Sequence, residues 1–149
     1  MLTRAVCALF LYQGRYGKLY DVRGVGNNDE LFIGMSLAWS DDLYEWDLGV
    51  TNPVLAPPDW TCAGSTCKDP HVMLVDGVYL IYYIVMDQEG YCVIALSTTT
   101  DWKTFVDMGP VLRLPPNMRG TLGIESPAVV FRDDLWHLFF TYGPGLWHA

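Results

Sequence analysis

Apolar positions along the chain fall in short runs cut by turn residues, and no segment longer than a turn keeps a helical period. The clearest stretch lies in the middle. Residues 71–75 (His-Val-Met-Leu-Val) form a short, mostly apolar run that meets Asp76-Gly77, a strong hairpin signal. Residues 78–85 follow, dense in β-branched and aromatic side chains, and predict a second strand. Asp87-Gln88-Glu89-Gly90 marks the next turn and residues 91–97 a third strand. The pieces Thr100-Asp101-Trp102-Lys103-Thr104-Phe105 and Asp107-Met108-Gly109 lead to a short fourth strand ending near Leu112, and Pro115-Pro116 breaks the chain.

The pattern repeats. The fifteen residues that begin Asp69-Pro70-His71-Val72 lie without a gap over the fifteen that begin Ser126-Pro127-Ala128-Val129, at an offset of 57. The same offset puts Ala38 and Ser40 on Ala95 and Ser97, and Pro53-Val54-Leu55 on Pro110-Val111-Leu112. Four antiparallel strands in a period of roughly 40–60 residues is the arithmetic of a propeller blade. The fold class expected is therefore all-β, a β-propeller of four-stranded antiparallel blades. About two and a half blades are present: residues 1–58, 68–116 and a half blade over 124–149.

In the first unit, Tyr12 is matched to Tyr83, which makes residues 6–12 a second strand and leaves 14 extra residues before Ser40. Those extra residues, with Gly14, Gly17, Gly24 and Gly26, read as a polar surface loop; their spacing fits no phosphate-binding fingerprint. The first strand of this unit is then expected upstream of Met1. The third unit is expected to stop after its second strand, at Tyr142-Gly143-Pro144-Gly145.

Composition narrows the function classes. With 17 acidic and 9 basic residues the formal net charge is −8, which argues against nucleic acid as a partner. The longest strongly apolar run, residues 78–86, is too short to span a bilayer as a helix, so no membrane partner is expected. The N-terminal residues faintly resemble a signal peptide, but Gln13-Gly14-Arg15 offers no small-residue cleavage site. Cys7, Cys62, Cys67 and Cys92 suit free thiols first, a Cys62–Cys67 bridge second and a metal third. No His pair stands at metal spacing and no nucleophile elbow occurs, so neither a metal nor a cofactor is expected.

The candidate chemistry sits on the first strands, which line a propeller's central channel. Equivalent positions there hold Lys68-Asp69-Pro70 and Glu125-Ser126-Pro127. Adjacent blades would bring these two carboxylates to the mouth of one funnel. Paired carboxylates at a cleft suit glycoside hydrolysis, and crowding raises the pKa of one of them.

The ordered pieces carry a resemblance across nearly the whole chain. They are Leu9-Phe10-Leu11-Tyr12-Gln13, Met35-Ser36-Leu37-Ala38-Trp39-Ser40-Asp41-Asp42-Leu43-Tyr44-Glu45-Trp46, Asn52-Pro53-Val54-Leu55, Lys68-Asp69-Pro70-His71-Val72 and Glu125-Ser126-Pro127-Ala128-Val129. The set resembles the five-bladed propeller glycoside hydrolases, chiefly families 43 and 32. That resemblance implies hydrolysis of O-glycosidic bonds in a carbohydrate of arabinoside, xyloside or fructoside type. It implies that Glu125 is the general acid and that Asp69 orients it and tunes its pKa. A third carboxylate, the base or nucleophile, has its expected position before Met1, so the chain alone is expected to be inactive. Lys68 stands where the family has arginine, which keeps the charge and loses the bidentate geometry.

Each residue also has a plainer reading. Asp69 before a proline can cap a turn, and Glu125 can be a rim carboxylate. His71 points into the channel or away from it, and alternation leaves both open. Trp60, on a loop before the second blade, stacks on a sugar or packs in the core with equal ease. His137 reads as a packed strand residue. The rival functions are a carbohydrate-binding or inactive propeller module and a truncated product. An open propeller edge, with an apolar face over residues 129–140 and an unpaired strand near 138–141, is expected to drive self-association.

Overall fold

The computed structural model describes residues 7–25, 31–48, 53–118 and 123–149. The leader-like reading of residues 1–6 and the part of the proposed loop over 26–30 lie outside the described residues. Three antiparallel sheets make up the chain. The first is β1 (Cys7–Tyr12), β2 (Arg15–Val25), β3 (Leu31–Ser40) and β4 (Asp47–Leu48), in that spatial order. The second is β5 (Lys68–Val75), β6 (Val78–Met86), β7 (Cys92–Thr99) and β8 (Val106–Leu112), again in sequence order. The third is β9 (Ile124–Arg132), β10 (Leu135–Tyr142) and β11 (Gly145–His148). Among the described residues the only helical piece is one 3-10 turn at Pro116–Met118. The chain is all-β, with sheets built as propeller blades that do not close a ring. Its first strands lie in order, β1 beside β5 and β5 beside β9.

Two apolar layers hold the sheets together. Between the first and second sheets lie Leu19, Met35, Leu37, Ile81, Tyr83 and their neighbours, all buried. Between the second and third lie Ile84, Ile94, Leu114, Ile124 and Phe140. Tyr79, Ile81, Tyr83 and Val85 serve the first layer while Ile84 serves the second. A strand covered on both faces has no solvent side on which to place polar residues. That is why residues 78–86 read as a continuous apolar run.

The first sheet corrects the sequence reading. Residues 7–12 are its first strand, not its second, and all four strands are present. The reason is the turn. Gln13 and Gly14 have φ of 50° and 81°, against 48° and 81° at Asp76 and Gly77. Gln13-Gly14 is thus the same tight hairpin, made with a glutamine that the Asn/Asp-Gly rule does not anticipate. The expected surface loop is, over 15–25, strand β2. Gly17 is there for packing: it faces Phe10 across the β1–β2 pair, and a Cβ on it would lie 2.1 Å from the Phe10 ring. Phe10 stacks on Trp102 of the second sheet at 3.7 Å between centroids.

The offset is corrected with it. Sheets two and three are related by 57 residues, as in Asp76 to Asp133 at their left-handed turns. Between sheets one and two the outer turns match at 59, because Ser40 and Asp42 accept the same backbone N–H pattern as Thr99 and Asp101. A slip of two residues preserves strand alternation, so the aligned faces were right although the pairing was not.

The third sheet has three strands rather than two. Tyr142 and Gly145 pair at the start of a hairpin, and β11 covers the β10 edge through Phe139↔His148 and Thr141↔Leu146. The unpaired edge expected near residues 138–141 does not exist. Leu138 instead exchanges both backbone hydrogen bonds with Ala149, each 2.9 Å. The apolar face expected over 129–140 is likewise divided. Val129 and Phe140 are buried, while Phe131, Leu135 and Trp136 are exposed.

Candidate active site

The site is built from a β-bulge that occurs twice. On β5 the register shifts between Lys68 and His71, and Asp69 has a left-handed φ of 54°. On the β9–β10 pair it shifts opposite Phe139 and Thr141, and Ser126 has φ of 52°. Each left-handed residue is followed by a proline, Pro70 or Pro127, which has no N–H to lose where the ladder is broken. Bulges re-aim side chains. Here Lys68 and Glu125 stand just before them, directly paired with Ile84 and Thr141.

Three hydrogen bonds cross from β5 to β9. The Ser126 N–H donates to Asp69 Oδ2 at 3.2 Å. Lys68 Nζ donates to Glu125 Oε1 at 2.7 Å, an ion pair with Glu125 half exposed. His71 Nε2 donates to the Val129 carbonyl at 3.0 Å; a carbonyl can only accept, which fixes the proton on that nitrogen. The structure thus brings Asp69, Glu125, Lys68 and His71 to one seam between two innermost strands. Asp69 is buried. Burial lowers the pKa of half-buried His71, only partly offset by its bond to Val129. Burial also acts against charge on Lys68, but its hydrogen bond to Glu125 and the charges of Asp69 and Glu125 prevail and raise its pKa.

Trp60 is not brought to this seam. It packs against the main core, and its indole Nε1 donates to Asp107 on β8, the strand farthest from β5 in its sheet, at 2.6 Å. His137 lies on β10 and bonds His148 of β11 at 2.9 Å. The four cysteines are free. Among the described residues no group of three or more His, Cys, Asp or Glu side chains could hold a metal ion. No helix among them is long and apolar enough to cross a membrane. Two clefts of about 370 Å³ lie elsewhere, at the hairpin and outer-turn end of the first sheet around Arg15, Trp39 and Asp41 or Asp101.

One residue at the seam was missed by the sequence reading. Asp21 on β2 is half-buried, and its Oδ1 has no hydrogen-bond partner. Its pKa is raised to about 6 by burial first and by the Asp69 charge second, with Lys68 acting the other way. The signal was available. Asp21, Ile84 and Thr141 are each the seventh residue of β2, β6 and β10, counted from the hairpin turn. Reading Gln13-Gly14 as that turn would have set Asp21 level with the partners of Lys68 and Glu125.

Searches of protein-family models and of curated proteins found no match. Solved structures match over most of the chain. One is a glycoside hydrolase, at a TM-score of 0.76 and 20% identity over 90% of this chain and 40% of that one. The fold is that of glycoside hydrolase blades. The family 32 β-fructofuranosidase of Bombyx mori gives 0.75 and 15% over 91% of this chain and 28% of its own. A thermostable family 43 glycoside hydrolase gives 0.64 and 14% over 91% and 40%. This glycosidase-fold module therefore spans well under half the length of these three proteins.

Proposed function

We propose that the seam between β5 and β9 is the acid side of a glycosidase site acting on an O-glycosidic bond of an oligo- or polysaccharide. The observation that supports this is the pairing of Asp69 and Glu125 on neighbouring innermost strands, joined through Ser126 and Lys68. Glu125 protonates the leaving oxygen. Asp69 holds the Ser126 peptide, and with it the backbone that carries Glu125. Lys68 fixes the Glu125 carboxyl through a single N–H rather than the fork an arginine would supply. His71, bonded to Val129, ties the two strands below the mouth and presents a substrate-facing edge. Trp60, held by Asp107, is left with core packing. The base or nucleophile is not on described β1, whose sequence Cys-Ala-Leu-Phe-Leu-Tyr carries no carboxylate.

That last observation favours a second reading, a carbohydrate-binding module that keeps the funnel without the chemistry. The experiment separates them by supplying formate, a small anion that can stand in for an absent carboxylate. Aryl arabinosides, xylosides and fructosides are incubated with the chain and with Glu125→Gln. Formate-dependent release, lowered about 100-fold or more in the variant as for loss of a general acid, supports hydrolysis. Equal rates in both remove Glu125 from the role. No release from either, with carbohydrate binding retained, replaces the enzyme by the binding module.

A further inference from the structure

The outer turn at Ser40-Asp41-Asp42 is made twice in the fold, and in the first sheet one of its residues is left over. There the Ser40 hydroxyl accepts the N–H groups of Asp42 and Leu43, and Asp42 Oδ1 accepts those of Tyr44 and Glu45. In the second sheet Thr99 and Asp101 accept the N–H groups of residues 101 to 104 in the same pattern. Thr100 stands there in the place of Asp41, so the turn itself needs no carboxylate at that position. Asp41 is nevertheless engaged. It accepts two hydrogen bonds from Arg15, from Nε at 2.7 Å and from Nη2 at 3.5 Å. Arg15 opens β2 and lines a cleft of about 370 Å³ between the first hairpin and the outer turn of the second sheet. Asp41 thus fixes the guanidinium on the wall of that cleft.

The rest of the wall is largely aromatic. Tyr12 and Trp39, both half-buried, line the cleft and rest on the core behind it. Trp39 meets Phe10 edge-on at 5.7 Å and Trp102 at 6.5 Å between centroids, and Tyr12 lies 5.8 Å from Trp39. Rings held in this way are already ordered, so a ligand does not have to order them on binding. Asp101 and Lys103 add a carboxylate and an ammonium from the second sheet. The charges balance, since Asp41 and Asp101 match Arg15 and Lys103. The volume falls in the range of small-molecule sites, roughly 300–1,000 Å³. Aromatic faces with a few fixed donors and acceptors and no net charge suit an uncharged, polyhydroxylated ring: its C–H face lies on an aromatic ring and its hydroxyls meet the polar groups.

We propose that this cleft is a second carbohydrate site, taking one uncharged sugar unit of an oligosaccharide. Trp39 and Tyr12 are its stacking surfaces, and Arg15, Lys103 and Asp101 hydrogen-bond the sugar hydroxyls. The cleft lies at the end of β1, whereas the seam lies at the starts of β5 and β9, and the two share no residue. The inference rests on the carbohydrate reading of the seam only for the choice of sugars to try.

The test follows amide and indole N–H shifts by NMR while xylo-, arabino- and fructo-oligosaccharides are titrated into the wild type, Arg15→Gln, Asp41→Asn and Glu125→Gln. In the wild type, the Trp39 indole and the amides of Gln13, Arg15 and Lys103 should shift saturably with at least one of the sugars. Arg15→Gln should weaken that binding roughly tenfold or more, as for one lost hydrogen bond to a charged group. Asp41→Asn, which leaves the bonds of the turn intact, should weaken it by less, through a looser Arg15. Glu125→Gln should leave it unchanged. No saturable shift at the cleft with any of the sugars, or equal affinity in the wild type and Arg15→Gln, overturns the inference. Should Arg15→Gln fail to fold, unchanged affinity in Asp41→Asn overturns it instead. Shifts at Lys68, Asp69 and Glu125 alone overturn the second site and leave the seam in place; shifts at the cleft alone support the second site and count against the seam.

Discussion

Asp69 of the second blade accepts the backbone N–H of Ser126 in the third, at 3.2 Å, across the gap between two innermost strands. Asp69 thus caps a backbone N–H, that of a bulge in the next blade's first strand rather than of a turn. Capping and positioning are here one act, since the capped peptide follows directly on Glu125. Asp69→Ala should destabilise the chain by about 1.5–3 kcal/mol, the net worth of a hydrogen bond to a charged acceptor, and Asp69→Asn by less. Urea melts of the two variants check this; equal losses would show that the bond to Ser126 contributes nothing.

Gly17→Ala should cost roughly 1–3 kcal/mol, the usual range for overpacking. The added Cβ meets the Phe10 ring, and that ring is held against Trp102. Combining Gly17→Ala with Phe10→Leu should cost less than the sum of the two, because the smaller side chain vacates the space. Additive losses in a double-mutant cycle would show that Gly17 is not there to seat Phe10.

Asp21 gives the chain a pH dependence of defined sign. Its folded-state pKa of about 6 lies above the ordinary 3.8, so between those values the folded state binds more protons than the unfolded one. The stability it contributes is complete below about pH 4 and is lost as pH rises through 6. Asp21→Asn should therefore gain stability relative to wild type on going from pH 4 to 7. A stability difference that stays flat over that range would contradict the raised pKa.

Much of this was legible in the sequence. The Asp76-Gly77 turn and the apolar run after it identify a hairpin, and the Asp-Pro and Ser-Pro pieces align because the same bulge needs the same proline. The first blade was misread for a physical reason. A left-handed glutamine at Gln13 is atypical for such a turn, so β1 and β2 merged into a strand and a loop. Asp21 was lost as a consequence, since its place is defined only by counting from that turn. The third strand of the last sheet was missed because Gly143-Pro144 reads as an ending, where the chain in fact turns back.

Self-association should persist although the β10 edge is covered. Phe131 and Trp136 remain exposed with rings 4.9 Å apart, flanked by Leu135, and Leu146 and Trp147 are exposed on β11. Exposed apolar side chains of this kind promote association. Light scattering should show oligomers that dissociate in a Trp136→Lys, Leu146→Lys variant. A monomeric wild-type chain would place these side chains among ordinary surface residues.

The most direct test of the site is where a carbohydrate binds. Amide shifts of the 149-residue chain are mapped while arabino-, xylo- or fructo-oligosaccharides are titrated in. The largest changes should fall on Lys68, Asp69, Glu125 and Ser126, and should weaken in Lys68→Met, which breaks the ion pair without touching the fold's core. Changes confined to the clefts at Arg15, Trp39 and Asp101, or no saturable change with any of the sugars, would contradict a carbohydrate site between β5 and β9.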